Sequence, residues 1–154
     1  MAKIAHKAVV TMKLAGRAAN HARTDIKTRD ISFTIDEPEA RGGTNQGPTP
    51  TEALVGALIG CLTVVSNRIA ENIGCQILEF SVEAAADFDR RGVMMQEAIA
   101  VPFPKIEVSI DAAIKGTEAQ IAQLQSDLAK YCPLSMLIRR SGTELSETWN
   151  VTRS

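Results

Sequence analysis

Two stretches near the start of the chain place an apolar residue at every second position. Ala8, Val10, Met12 and Leu14 share one side of the first, and Ile31, Phe33 and Ile35 share one side of the second. A period of two predicts half-buried strands. The polar segment between them, GRAANHARTDIKTRD, predicts a loop with room for a short strand at its centre. DEPEARGGTNQGPTP follows, rich in Gly and Pro, and predicts irregular backbone.

The period then changes to that of a helix. Thr49 suits an N-cap, Pro50 the first helical position, and Glu52 completes a T-x-x-E capping box. The helix is predicted to run to about Ile73 and to stop at Gly74. It is mostly apolar and roughly 36 Å long at 1.5 Å per residue. Counting about 100° per residue from Cys61, Leu54, Ala57, Leu58, Val64 and Val65 fall on its side. Thr63, Ser66, Asn67 and Glu71 lie elsewhere. Gly56 and Gly60 lower helix propensity but let another backbone come close. A helix this apolar belongs at the centre of an assembly.

Alternation returns in ILEFSVEAA, with Leu78, Phe80, Val82 and Ala84 on one face, and in KIEVSIDAA, through Ile106, Val108, Ile110 and Ala112. The connection DFDRRGVMMQEAIAVPFP is longer than a hairpin needs and reads as a flap. Thr117 and Gln120 mark a second helix whose buried stripe is predicted as Ile121, Leu124, Leu128 and Tyr131. Pro133 interrupts it, PLSMLIRR restarts as a short helix, and ELSETWNVT closes the chain as a strand carrying Leu145, Trp149 and Val151. Strands, long helix, strands, helix and strand make an α+β order. With no linker or repeat to divide it, the chain is expected to form a single domain over residues 1–154.

Composition narrows the chemistry. A net charge of -1 with interspersed charges offers no footprint for nucleic acid. The absence of an uninterrupted run of about 18 apolar residues argues against a membrane span, and MAKIAHKAVV lacks a signal-peptide core. Three cysteines without a secretory signal suggest a reducing cytoplasm. The two histidines, His6 and His21, have no metal-ligand spacing with a cysteine, so no metal or organic cofactor is expected.

The cysteines remain as candidate chemistry. Cys61 lies three turns into the long helix, beyond reach of its N-terminal dipole, and on its own reads as core. Cys132 precedes Pro133 and so stands at the N-terminal edge of the next helical turn, where free N–H groups favour a thiolate. Cys75, between helix end and strand, reads as structural. Spacing alone does not pair Cys61 with Cys132.

Taken together, GPTPTEALVGALIGC and YCPLSMLIRRSGTEL resemble the two cysteine segments of the OsmC/Ohr family, the osmotically inducible and organic hydroperoxide resistance proteins. FDRRG resembles that family's Asp-x-x-Gly stretch, and the order of elements matches over nearly the whole chain. The resemblance implies an OsmC-like fold: an intertwined homodimer with long central helices wrapped by mixed and antiparallel sheets. It also implies reduction of organic hydroperoxides, with Cys61 as the peroxidatic thiol, Cys132 as the resolving thiol, and an external thiol or dithiol as reductant.

AGRAA is similar to the Gly-Arg of the peroxidase branch and nominates Arg17 as the guanidinium that keeps Cys61 ionised, with Arg41 and Arg23 in reserve. Glu52 is the candidate acidic partner. In the peroxidase branch, however, the acidic residue directly follows the proline, where this chain has Thr51. That departure places it nearer the OsmC-like branches and opens a second reading. In that reading the fold binds a small apolar ligand or serves as a redox stress protein with little peroxidase turnover.

Overall fold

The computed structural model describes residues 7–154, so His6 lies outside the described residues. The chain divides into two compact units, Met1–Ala53 and Leu54–Ser154.

In the first unit, β1 (Leu14–Ala18), β2 (Thr24–Thr28) and β3 (Ile31–Ile35) form an antiparallel sheet in the order β1-β2-β3. Leu14 pairs with Thr28, and Arg17 with Asp25. The first strand thus starts later than the alternation predicts, and Val10 and Met12 are exposed. The reason is the ladder itself. β2 ends at Thr28, before a two-residue turn in which Arg29 has φ 53°, so residues before Leu14 have no strand beside them. The polar segment supplies the short strand expected at its centre, as β2, and also most of β1.

Asp36 organises the irregular stretch beyond β3. Its buried carboxylate accepts hydrogen bonds from the N–H groups of Glu37, Thr44 and Gln46 and from the Thr44 hydroxyl. Those donors hold it well below the usual carboxylate range, against the opposing effect of burial. The coil is so tight that a Cβ at Gly43 would strike the Glu37 carbonyl.

α1 (Pro50–Ile73) has the predicted bounds. Glu52 N–H donates to the Thr49 hydroxyl (3.2 Å), and the Glu52 carboxylate accepts from Thr49 N–H (2.8 Å), so the capping box is present. Gly74 ends the helix in the left-handed region at φ 79°. By length and composition α1 is apolar enough to cross a membrane, contrary to the count of uninterrupted apolar residues. Within residues 53–70 its interruptions are two Gly, one Thr and one Ser, with Asn67 and Arg68 near the far end, too few to bring the average down. Leu58, Leu62, Ile69 and Ala70 nevertheless join the core of the second unit, so α1 is a core helix.

That core is built on a second sheet of β4 (Gln76–Asp87), β5 (Lys105–Lys115) and β6 (Glu144–Arg153), ordered β4-β5-β6. β4 and β5 are antiparallel, whereas β5 and β6 are parallel. A parallel pair needs a crossover, here α2 (Glu118–Tyr131) followed by α3 (Pro133–Arg140). Ile106, Val108, Ile110, Ala112 and Ile114 all point into the core. β4 departs from simple alternation. An irregularity between Ile77 and Glu79 leaves Leu78 outside the ladder and 48% exposed, while Ile77 packs inward beside Phe80 and Val82. α2 carries the predicted Thr117–Gln120 box. Its stripe ends at Leu128, because Tyr131 is exposed.

Candidate functional site

Cys61 and Cys132 both belong to the second unit, and the crossover brings them together. Cys132 ends α2 in an extended conformation (ψ 108°) and is also the N-cap of α3. Pro133 forces the break, since it cannot continue α2 but suits the first position of α3. The Cys132 side chain does not cap α3. It points across to α1, where its S–H donates to Cys61 Sγ at 3.3 Å.

All three cysteines are free thiols. Cys132 is fully buried, and Cys61 is half-buried. Burial pushes the Cys61 thiol above its ordinary value, the Leu134 backbone N–H opposes this, and the hydrogen bond with Cys132 raises it further. The Leu134 N–H at the start of α3 thus faces the Cys61 thiol. A disulfide S–S bond is about 2.05 Å long, so these sulfurs need to close by only a little over 1 Å.

Cys61 opens onto a groove of about 940 Å³ along α1, walled by Gly60, Val64 and Arg68 on one side and by Gln123 and Tyr131 of α2 on the other. Helical geometry puts Cys61, Val65, Arg68 and Asn72 within an arc of about 60°. Arg68 and Tyr131 escaped the sequence reading. Arg68 is legible as the i+7 neighbour of Cys61, whereas the helical period places Tyr131 in the core. Exposure differs between these sides of α1. Val64 is 51% exposed, while Ser66, placed outside the Cys61 side, is fully buried. The stripe that meets the sheet runs Leu58–Leu62–Ser66–Ile69, about 100° around from Cys61.

The remaining candidates lie in the first unit. Arg17 is exposed on β1, opposite Asp25 in register. Arg23 pairs with Asp25 (3.0 Å) and Arg41 with Glu37 (2.7 Å). Glu52 serves the capping box, and Thr49 N–H chiefly holds its carboxyl below the usual value. The Thr51 and Thr49 hydroxyls lie 3.1 Å apart. His21 is exposed between β1 and β2. Cys75 is buried where α1 meets β4, beside Gly116, and burial raises its thiol. Among the described residues no cluster of His, Cys, Asp or Glu is placed to hold a metal.

A family model described as OsmC-like protein matches residues 43–147. No curated protein matches in sequence. Among solved structures, the chain is similar to the OsmC-like protein of Mycoplasma pneumoniae, with 15% identity, 94% of this chain and 97% of that one covered, and a TM-score of 0.72. A hypothetical protein of Aquifex aeolicus VF5 gives 18% identity, coverage of 95% and 99%, and a TM-score of 0.74. An organic hydroperoxide resistance protein of Elizabethkingia anophelis, with crystallant-derived thiocyanate bound, gives 19%, 94% and 100%, and 0.62. At these identities the likeness is one of fold.

Proposed function

Because the chain belongs to the OsmC-like protein family, whose fold is a soluble one, we propose that it is a cytoplasmic, homodimeric, thiol-dependent reductase of organic hydroperoxides. The observation that carries this reading is the 3.3 Å approach of Cys61 and Cys132 sulfurs at one end of a groove. The Cys61 thiolate attacks the peroxide. An S–O bond forms, the O–O bond breaks, and the alcohol leaves after taking a proton, so that the sulfur becomes a sulfenic acid. The Cys132 thiolate then displaces hydroxide, which leaves as water, and the disulfide forms. An external thiol or dithiol reduces it. The apolar wall at Val64 and Val65 favours an alkyl or aryl peroxide over hydrogen peroxide, since each buried CH₂ contributes about 0.8 kcal/mol.

The dimer is supported by what a single chain leaves uncovered on α1. Leu54 and Val64 are exposed, and a Cβ built at Gly56 or Gly60 meets nothing within 4 Å. A second copy of α1 fits that face. In the dimer, Arg17 is the proposed guanidinium for Cys61.

Mixing reduced protein with cumene hydroperoxide tests the reading: two thiols per chain should disappear and return on addition of dithiothreitol. Unchanged thiol content would overturn it. Thr51, and the engagement of Glu52 in the helix cap, favour a second reading, in which the groove holds a small apolar ligand. Ligand retained in native mass spectrometry without peroxide consumption would select that alternative.

A further inference from the structure

Ser135 is fully buried, and among the described residues its hydroxyl has no hydrogen-bond partner. Leaving a buried hydroxyl unpaired costs on the order of 1–3 kcal/mol, and such a group calls for an explanation. Ser66, the other such group, lies inside α1, where a serine can turn to the carbonyl four residues back, as Thr63 does to Ile59. Ser135 has a less open route, since the carbonyl three residues back, that of Cys132, already accepts from the Met136 N–H. Ser135 is the third residue of α3, and Cys132 at the N-cap is extended, so the Tyr131 carbonyl is not presented to it as within a continuous helix.

The N-cap and third residues of a helix have side chains on one edge, the geometry that makes capping boxes possible. In α3 those residues are Cys132 and Ser135. Cys132 uses its only proton on Cys61, and its sulfur therefore has acceptor capacity left over. We propose that Ser135 is a positioning residue for the thiol pair: its side chain, which makes no hydrogen bond to the resting thiol, rotates to donate its O–H to the Cys132 sulfur when that sulfur carries negative charge. The inference rests on reading Cys61 and Cys132 as a redox pair. It assigns the two anions separate donors, the Leu134 N–H for Cys61 and the Ser135 O–H for Cys132. Cys132 must be ionised to attack a sulfenic acid, and it is ionised again when a reductant opens the disulfide at Cys61.

The test reads ionisation without using peroxide, so failure of the peroxidase reading is seen separately in the cumene hydroperoxide assay. In a C61A/C75A chain Cys132 is the only thiol, and thiolate absorbance at 240 nm follows its titration. Adding S135A should raise the apparent pKa by about one unit, a roughly tenfold smaller thiolate fraction below it. Ser135→Thr and Ser135→Val have equal shape and differ in the hydroxyl, so they answer the question if alanine loosens the fold. Threonine should titrate near the serine parent and valine near alanine. Coincident threonine and valine curves would overturn the proposal.

Discussion

Cys61 on α1 and Cys132 at the α2–α3 junction, 71 residues apart in sequence, place their sulfurs within 3.3 Å of each other. Nothing in either segment alone specifies that meeting. It follows from the parallel pairing of β5 with β6, which obliges the intervening helices to cross over, and from Pro133, which breaks the crossover at Cys132.

If Cys61 attacks and Cys132 resolves, Cys132→Ser should stop the reaction at a sulfenic acid that dimedone traps on Cys61. The unsubstituted chain should give the Cys61–Cys132 disulfide with Cys75 still free. Peptide mapping after one equivalent of cumene hydroperoxide distinguishes these products. A disulfide involving Cys75 would reassign the pair.

The pH dependence has a definite sign. Burial raises the Cys61 thiol, so within one chain its thiolate fraction is small at neutral pH and grows as pH rises through the alkaline range. In the proposed dimer, an arginine beside Cys61 would move that profile toward lower pH. Arg17→Ala should therefore displace the pH–rate curve for Cys61 alkylation to the alkaline side by about one unit, measured with iodoacetamide in a Cys75→Ser, Cys132→Ser chain. An unmoved curve would remove Arg17 from the site.

Glu52 offers a choice between capping and chemistry. Glutamine at position 52 still completes a capping box, so Glu52→Gln should leave stability nearly unchanged, whereas Thr49→Ala should lower it by about 1 kcal/mol in urea unfolding. If Glu52→Gln also keeps kcat/KM for cumene hydroperoxide within about twofold, the difference in barrier is below about 0.5 kcal/mol. The carboxylate then acts only in the helix cap.

On the uncovered face of α1, Gly60→Ala separates the lone chain from the dimer. Nothing in one chain opposes the added methyl, and alanine favours a helix over glycine by about 1 kcal/mol. In a dimer with helices closely packed there, the same methyl intrudes. Sedimentation equilibrium should show weaker self-association for Gly60→Ala, and Val64→Arg should be largely monomeric.

Asp36 predicts acid sensitivity in the first unit. Its carboxyl lies below the unfolded value of 3.8, so its contribution is fully present above that pH and is lost as pH falls through the lower folded value. Asp36→Asn places an amide N–H against backbone donors and should lower Tm at pH 7 by about 5 °C or more. The difference from the unsubstituted chain should shrink below pH 4. A constant difference would show that the carboxylate charge is not what holds the loop.

Much of the helical skeleton was readable in advance, because caps are local. The Thr49–Glu52 and Thr117–Gln120 boxes, Gly74 and Pro133 each act within a few residues of where they stand. Strand placement was less legible, because strands form where partners exist. Val10 and Met12 alternate correctly but have no neighbour, while polar Thr24–Thr28 has one on each side. Leu78 failed because a single unpaired residue reverses the side that every earlier position faces. Tyr131 failed because α2 leaves the core one turn before it ends. Of the site, the two cysteine segments were visible and the groove was not, since Gln123, Asp127 and Tyr131 of its wall come from α2.

The parallel β5–β6 pairing also sets an order of events during synthesis. Cys61 is made more than eighty residues before β6, the strand that closes the crossover. A growing or truncated chain lacking Glu144–Arg153 carries both thiols but not the strand that draws them together. Oxidation of Cys61 at that stage meets no resolving neighbour and can proceed to sulfinic acid.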